Sequence, residues 1–344
     1  MRKRKKILVT GVSGTIGKEV LNQLLQNIDF LEITAFDKKS PKTEKILSKY
    51  KKQVTVIYGD ITNQNDINKI CHNKDVVIHL AALIPPIADE KPDLAHQINT
   101  VGTEKLIRSL EKHSTGAFVI YSSSVSVYGD RVQNPYITIH DELNPSPRDE
   151  YAVTKIKAEN IIRKSKLDWT IFRLSAIMGG HKMSKLMFHQ PLKTSLEITT
   201  YEDTARALVH SIEKQEQLSK KTFNLGGGER CRTTYKEFLS RSFTVFGLGK
   251  LNFHPKAFAD KNFHCGFYED GEVLDTILHF RRDNLDSYFE KEKQKIFGPT
   301  RVLTFLFKGI IKKYLEKQSE PLHAFIKNDK ELIQHFFNSN QTKI

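Results

Sequence analysis

Cysteine is scarce in this chain, and the three present, Cys71, Cys231 and Cys265, stand far apart without forming a CxxC pair. That spacing argues against a disulfide framework or a cysteine zinc site and suits a reducing compartment. Long apolar runs are missing too: nothing approaches the roughly 20 apolar residues that a membrane-spanning helix needs. The basic opening, residues 1–6, leads only into Ile7-Leu8-Val9-Thr10-Gly11, too short for the apolar stretch of a signal peptide. A cytoplasmic protein without a cleaved leader is expected. His254, His264, His279 and His323 lack metal-ligand spacing, so no metal site is expected. Acidic residues are in deficit, 40 Asp and Glu against 54 Lys and Arg, which leaves a net charge of +14. Such a balance suits an anionic ligand such as a nucleotide, a nucleic acid or a membrane surface, but equally a lysine-rich solvated surface. No nucleic-acid recognition module accompanies the charge, so nucleic acid is not expected as a partner.

What the chain does carry is alternation. Short apolar runs at 7–10, 32–36, 54–58, 76–80, 117–122 and 170–174 are separated by amphipathic stretches at 18–27, 64–71, 93–112 and 151–166. Nearly continuous apolar strands alternating with helices are the pattern of a parallel sheet covered on both faces. The pattern predicts an α/β fold, a doubly wound Rossmann sheet in the order 3-2-1-4-5-6, with a smaller, mostly helical C-terminal substrate region. The domain assignment is 1–178, with a return segment at about 201–226, for the dinucleotide-binding part, and 179–200 with 229–344 for the substrate part.

Directly after the first run comes Thr10-Gly11-Val12-Ser13-Gly14-Thr15-Ile16-Gly17, opening a helix at Lys18. Gly11 permits a tight turn, Gly14 lets the backbone approach a diphosphate, and Gly17 lets helix and strand pack closely. The helix N-terminus then offers free N–H groups to an anion. Asp37 follows twenty residues after Gly17, where a carboxylate accepts from ribose hydroxyls and repels a 2′-phosphate. NAD is therefore expected in preference to NADP, although Lys38 and Lys39 soften the repulsion. Asp60, with Ile61 beside it, fits two readings: contact with the adenine amino group, or a cap on the next helix.

Tyr151 and Lys155 stand four apart and share one helical face. A phenol is a poor base at neutral pH, and a neighbouring ammonium favours its ionised form. The fifth run ends in Tyr121-Ser122-Ser123-Ser124-Val125-Ser126, at the carboxyl edge where open α/β sheets bind ligands. Taken in order with His79-Leu80-Ala81-Ala82, Asn99-Thr-Val-Gly-Thr103, Arg173, Tyr201-Glu202-Asp203 and Asn224-Leu225-Gly226-Gly227-Gly228, these residues resemble the extended short-chain dehydrogenases/reductases, the NAD-dependent epimerase/dehydratase family, over about residues 5 to 245. The resemblance implies Tyr151 as acid/base, Lys155 as its pKa tuner and ribose anchor, and Ser124 as the hydroxyl that orients substrate. It implies that Leu80, Ala81, Ala82 and Ser122 line the cofactor, that Asn99 supports it, and that the chain is a homodimer.

Two departures narrow the reading. Dehydratases of the group carry an Asp-Glu pair where this chain has Val125 and Ser126, so a 4,6-dehydratase is not expected. The short segment after Met178 includes His181 and Lys182, which with Ser124 and Ser126 are the expected substrate contacts. Its Met183, Met187 and Phe188 also suit an apolar alcohol or ketone, as in hydroxysteroid dehydrogenases or flavonol reductases. A catalytic enzyme acting on a sugar nucleotide or related metabolite is expected; a dinucleotide-binding sensor or scaffold is the alternative from another class. Residues 299–317 mix apolar side chains with Arg301, Lys308, Lys312, Lys313 and Lys317. A helix docked on its own core with lysines in water is the expected reading, and a basic amphipathic helix on an anionic membrane is the other.

Overall fold

The computed structural model describes residues 4–179, 185–296 and 298–338. Seven parallel strands form the main sheet: β1 (Lys5–Thr10), β2 (Leu31–Asp37), β3 (Thr55–Tyr58), β4 (Val76–His79), β5 (Phe118–Ser124), β6 (Asp168–Leu174) and β7 (Lys221–Leu225). Their spatial order is 3-2-1-4-5-6-7, so the return segment adds a seventh strand to the six expected. Chain order reverses between β1 and β4, and ligands of such sheets bind at that switch point, beyond the carboxyl ends of the strands.

Alternation along the strands explains why both faces are covered. Ile7 and Val9 of β1 face one apolar layer with Val20, Leu21 and Leu24 of helix α1 (Thr15–Leu24), while Leu8 faces the other. That second layer contains Leu106, Ile107 and Leu110 of α2 (Gly102–His113) and Ala158 and Ile162 of α3 (Glu150–Lys164). Each such fully buried aliphatic side chain contributes roughly 1.5–3 kcal/mol, which helps strands as short as β3 and β4 hold their places. Leu274, Leu278 and Phe280, which lie in the span assigned from sequence to the substrate part, pack into the first of these layers.

A separate apolar cluster gathers Phe188, Leu196, Ile198, Tyr235, Phe238, Phe243 and Phe289 around a small sheet of Ala176–Met178, Ser195–Thr200 and Arg232–Thr234. Residues 299–317 correct one expectation. Two helices, α4 (Gly298–Leu306) and α5 (Lys308–Glu316), replace a single one, and only Ile311 and Leu315 reach the core. Among the described residues no helix is long and apolar enough to cross a membrane.

One largely buried polar chain runs from α3 across β6 and β7 to the loop before residue 271. Glu159 of α3 pairs with Arg173 of β6 through bonds of 3.1 and 2.8 Å and accepts from Ser123 of β5. Arg173 donates to the Tyr128 hydroxyl at 2.8 Å, Tyr128 to Asn224 Oδ1 at 2.7 Å, and Asn224 to Asp270 Oδ1 at 2.8 Å. Burial alone would raise the Glu159 carboxyl, but the Arg173 guanidinium and its hydrogen bonds hold it below the ordinary value. Its stabilisation is therefore present above the usual carboxylate range and fades as acid titrates the group. Arg173→Met strands this carboxylate, leaving it Ser123 and the partly exposed Arg163, and is expected to cost about 3–5 kcal/mol in denaturant unfolding. The deficit should shrink as pH falls; a pH-independent loss below about 1 kcal/mol contradicts the assignment.

Candidate active site

The turn after β1 is built on two close approaches. Gly11 has φ of +72°, and a Cβ there would lie 2.7 Å from the Ala81 nitrogen. A Cβ on Gly17 would meet the Gly11 carbonyl oxygen at 2.4 Å, so α1 sits against the turn only because that position is glycine. Gly14 caps α1 without a side-chain bond, and no acidic residue occupies the first turn. The N-terminal N–H groups of α1 are thus suited to an anion rather than to a carboxylate of the chain.

A cleft of about 650 Å³ opens over this turn. It is bordered by the glycine turn with Ser13, Thr15 and Ile16, by Asp37, Lys38, Asp60 and Ile61, by Leu80, Ala81 and Ala82, and by Ser122, Ser124, Tyr151 and Lys155. The sequence-separated residues therefore converge on one site. Asp37 Oδ2 accepts from the Ser13 N–H at 2.7 Å and Oδ1 from the Lys38 N–H at 2.7 Å, which fixes the carboxylate at the rim. Lys38 Nζ lies 3.3 Å from Asp60 Oδ2 instead of neutralising Asp37. Asp60 Oδ1 accepts from the Thr62 N–H and hydroxyl, while the next helix, Gln64–Ile70, is capped by Asn63. The capping reading of Asp60 is thereby corrected, and its carboxylate borders the cleft. The glycine turn, the uncapped helix and the fixed Asp37 together fit a dinucleotide.

One expected cofactor residue, Asn99, and one expected substrate contact, Ser126, have a different placement. Asn99 lies in a π-helical turn, His96–Val101, and is buried behind the cleft wall. Its carboxamide accepts from the Leu83 N–H at 2.7 Å and donates to the Leu83 carbonyl at 2.9 Å and to Thr154 Oγ1 at 3.0 Å. It acts as a strand partner for the loop that borders the cleft. Ser126 is buried and donates to Ser124 Oγ at 3.0 Å, so it orients Ser124. His181 and Lys182 lie outside the described residues.

Burial dominates the electrostatics. His79, between Thr10 Oγ1 at 2.8 Å and Thr103 Oγ1 at 2.9 Å, is pushed down to about 3 by desolvation and is neutral. Thr10 Oγ1 also accepts from the Ala81 N–H at 3.2 Å, which ties this buried pair to the cleft wall. Lys155 is buried, donates to the Ser122 carbonyl at 2.7 Å and is pushed down to about 7, again by desolvation. Its ammonium lies 5.6 Å from the centre of the Tyr151 ring. Tyr151 is raised above the ordinary phenol value by desolvation and by the charge of Asp149 and Asp89, against a hydrogen bond with Ser124. This direction is opposite to the lowering expected from a neighbouring lysine. Ionised Lys155 is itself costly in this surrounding, so the pull of its charge is weak.

Sequence reading missed three neighbours. Asp89 Oδ1 accepts the Tyr151 N–H at 3.1 Å and so helps hold the start of α3. His264 borders the cleft, with Nδ1 3.4 Å from Asp149 Oδ2, and Ser175 borders it after β6. Nothing in their spacing marks these residues; only the fold brings them close.

Because the folded pKa of Lys155 lies below the ordinary lysine value, the unfolded chain binds more protons between about 7 and 10. Stability from this group therefore rises with pH across that window. Melting curves of the protein and of Lys155→Met should diverge in favour of the unaltered protein from pH about 7 to about 10. Parallel pH profiles would show that the buried amine is not titrating there.

Comparison with known proteins places this geometry. The family model described as NAD dependent epimerase/dehydratase family matches residues 7–226. A Bacillus subtilis (strain 168) relative, named uncharacterized UDP-glucose epimerase YtcB, is 27% identical over 258 residues, covering 66% of this chain and 78% of its own. Mouse (Mus musculus) 3 beta-hydroxysteroid dehydrogenase type 7 is 26% identical over 200 residues, and the match spans 54% of each chain, about half the relative's length. In structure, UDP-glucuronic acid 4-epimerase from Bacillus cereus in complex with UDP-glucuronic acid and NAD superposes with a TM-score of 0.68 at 21% identity, over 85% of this chain and all of that one (100%). The family match spans the sheet from β1 to β7 and every bordering residue of the cleft except His264, and on it the chain belongs to the NAD dependent epimerase/dehydratase family.

Proposed function

We propose that this chain is an NAD-dependent epimerase or dehydrogenase that acts on a hydroxyl or keto group of a sugar nucleotide or a related metabolite. The observation that carries this reading is the convergence of Tyr151, Ser124 and Lys155 with the glycine turn in one cleft at the carboxyl edge of the sheet. Gly11, Gly14 and Gly17 with the first turn of α1 would hold the diphosphate of NAD, and Asp37 its adenosine ribose. NAD, when bound, would supply a hydride acceptor and, in its oxidised form, a positive charge. Ser124, kept in place by Ser126, orients the substrate oxygen, and Tyr151 Oη receives or returns the proton of that oxygen. Lys155, held by the Ser122 carbonyl, anchors the nicotinamide ribose and favours the ionised phenol when protonated.

Dehydration finds no support in the residues present. Val125 carries no carboxylate, and the Ser126 hydroxyl is already engaged with Ser124, so the acid/base pair for eliminating water is missing at these positions. A second reading, an apolar alcohol or ketone as substrate, is favoured by one feature: Leu83, Ile84, Pro85, Ile98 and Ile177 border the same cleft.

The test is turnover of a panel of UDP-hexoses and UDP-hexuronic acids beside a panel of sterols and aromatic ketones, with product analysis by chromatography. Tyr151→Phe should lose roughly 10²–10⁴-fold in kcat while keeping NAD affinity, the range expected for a general acid/base. Full activity in that variant removes the role assigned to the phenol. Turnover confined to apolar substrates overturns the sugar-nucleotide reading and leaves the redox chemistry intact.

A further inference from the structure

Seven of the fourteen large apolar side chains exposed among the described residues fall between Val302 and Tyr314. They are Val302, Leu303, Phe305, Leu306, Phe307, Ile310 and Tyr314, each at least 52% exposed. Scattered apolar surface needs no explanation, but a contiguous patch of this kind marks an interaction surface. The patch is presented rather than collapsed. Helix α5 is anchored by Ile311 and Leu315 in the second core, and Lys312 Nζ donates to the Lys250 carbonyl and to Asn252 Oδ1, each at 2.5 Å. Ile310, Lys313, Tyr314 and Lys317 lie at the 3- and 4-residue spacing of the opposite face, and all four are exposed. Helix α4 has no buried residue, and its Arg301 carbonyl passes close to Gly247, where a Cβ would meet it at 2.9 Å. Phe307, at the break between the two helices, is 52% exposed.

Charge selects the occupant. No Asp or Glu occurs between Glu292 and Glu316, while Arg301, Lys308, Lys312 and Lys313 lie within that interval. Arg301, Lys313 and Lys317 are exposed, and Lys308 lies 3.9 Å over the Phe305 ring. A second copy laid on this face would bring the same cations against one another, whereas an anionic lipid surface satisfies both the apolar side chains and the cations. We infer that the α4–α5 segment docks this protein on an anionic membrane surface, with Phe305, Leu306, Phe307 and Ile310 entering the headgroup–acyl boundary and Arg301, Lys313 and Lys317 facing the phosphates. This surface is independent of the redox chemistry proposed for the cleft.

The full chain is tested by co-sedimentation with vesicles of phosphatidylglycerol and phosphatidylcholine in equal parts, against vesicles of phosphatidylcholine alone. Binding to the anionic vesicles should be about tenfold tighter or more, and should weaken as salt is raised. A Phe305→Ser, Leu306→Ser, Ile310→Ser triple variant should lose that binding by about tenfold or more. Because these side chains are already in solvent, its melting temperature should stay unchanged. Arg301→Glu with Lys313→Glu and Lys317→Glu should abolish the preference for anionic lipid. Failure to bind, binding indifferent to both variants, or a dimer in analytical ultracentrifugation that the serine variant dissociates would each overturn the inference.

Discussion

The buried ion pair between Glu159 and Arg173 is the constraint on which the site depends. Glu159 stands four residues beyond Lys155 and eight beyond Tyr151, on the same face of α3. Its carboxylate is held at once by Ser123 of β5 and Arg173 of β6, so the roll of α3 against the sheet is set by a polar contact in an apolar layer. A helix packed only by Ala158 and Ile162 would resist rotation less, because apolar contacts have little directional preference. The same arginine continues through Tyr128 and Asn224 to Asp270, whose other oxygen accepts the Ile139 N–H at 2.6 Å. The pair thereby couples the helix that carries the site residues to segments beyond the main sheet.

A second constraint works through absence of atoms. Gly17 has no Cβ, so α1 packs against the turn, and Gly11 has no Cβ, so the turn packs against Ala81. The neutral imidazole of His79, bridging Thr10 and Thr103, supports the same wall from behind. On the other side of the cleft the electrostatic problem differs. Burial disfavours both the phenolate of Tyr151 and the ammonium of Lys155, so the two groups sit closer to neutrality than two exposed side chains would. The proposed chemistry therefore draws on the positive charge that oxidised NAD would bring as well as on Lys155.

Much of this was legible in the sequence because it rests on local rules. The alternation of apolar runs and helices leads directly to the parallel sheet, and Gly11, Gly14 and Gly17 lead to the turn, since each has a geometric reason to be glycine. Tyr151, Lys155 and Ser124 were legible through the family resemblance, since helical spacing and a strand end alone do not single them out. What was not legible depends on contacts between distant segments. Asp89 and His264 come to the site only through folding, and the direction of the Tyr151 shift depends on how many apolar atoms surround it. Asn99 could be marked as important, but its role as a partner for Leu83 rather than a cofactor contact requires the loop to be in place. The basic apolar stretch from 299 to 317 reads as an ordinary core helix until the fold shows that only one face of its second half finds a core.

The redox chemistry proposed for this chain requires that the cleft over the glycine turn hold NAD. The most direct measurement is to denature the purified protein, identify any released dinucleotide by mass spectrometry, and titrate the remaining apoprotein with NAD and NADP by calorimetry. NAD is expected, either retained in the extract or bound on titration, with NADP weaker because Asp37 holds its charge at the rim. Finding neither dinucleotide in the extract, and no heat of binding with either, would contradict it.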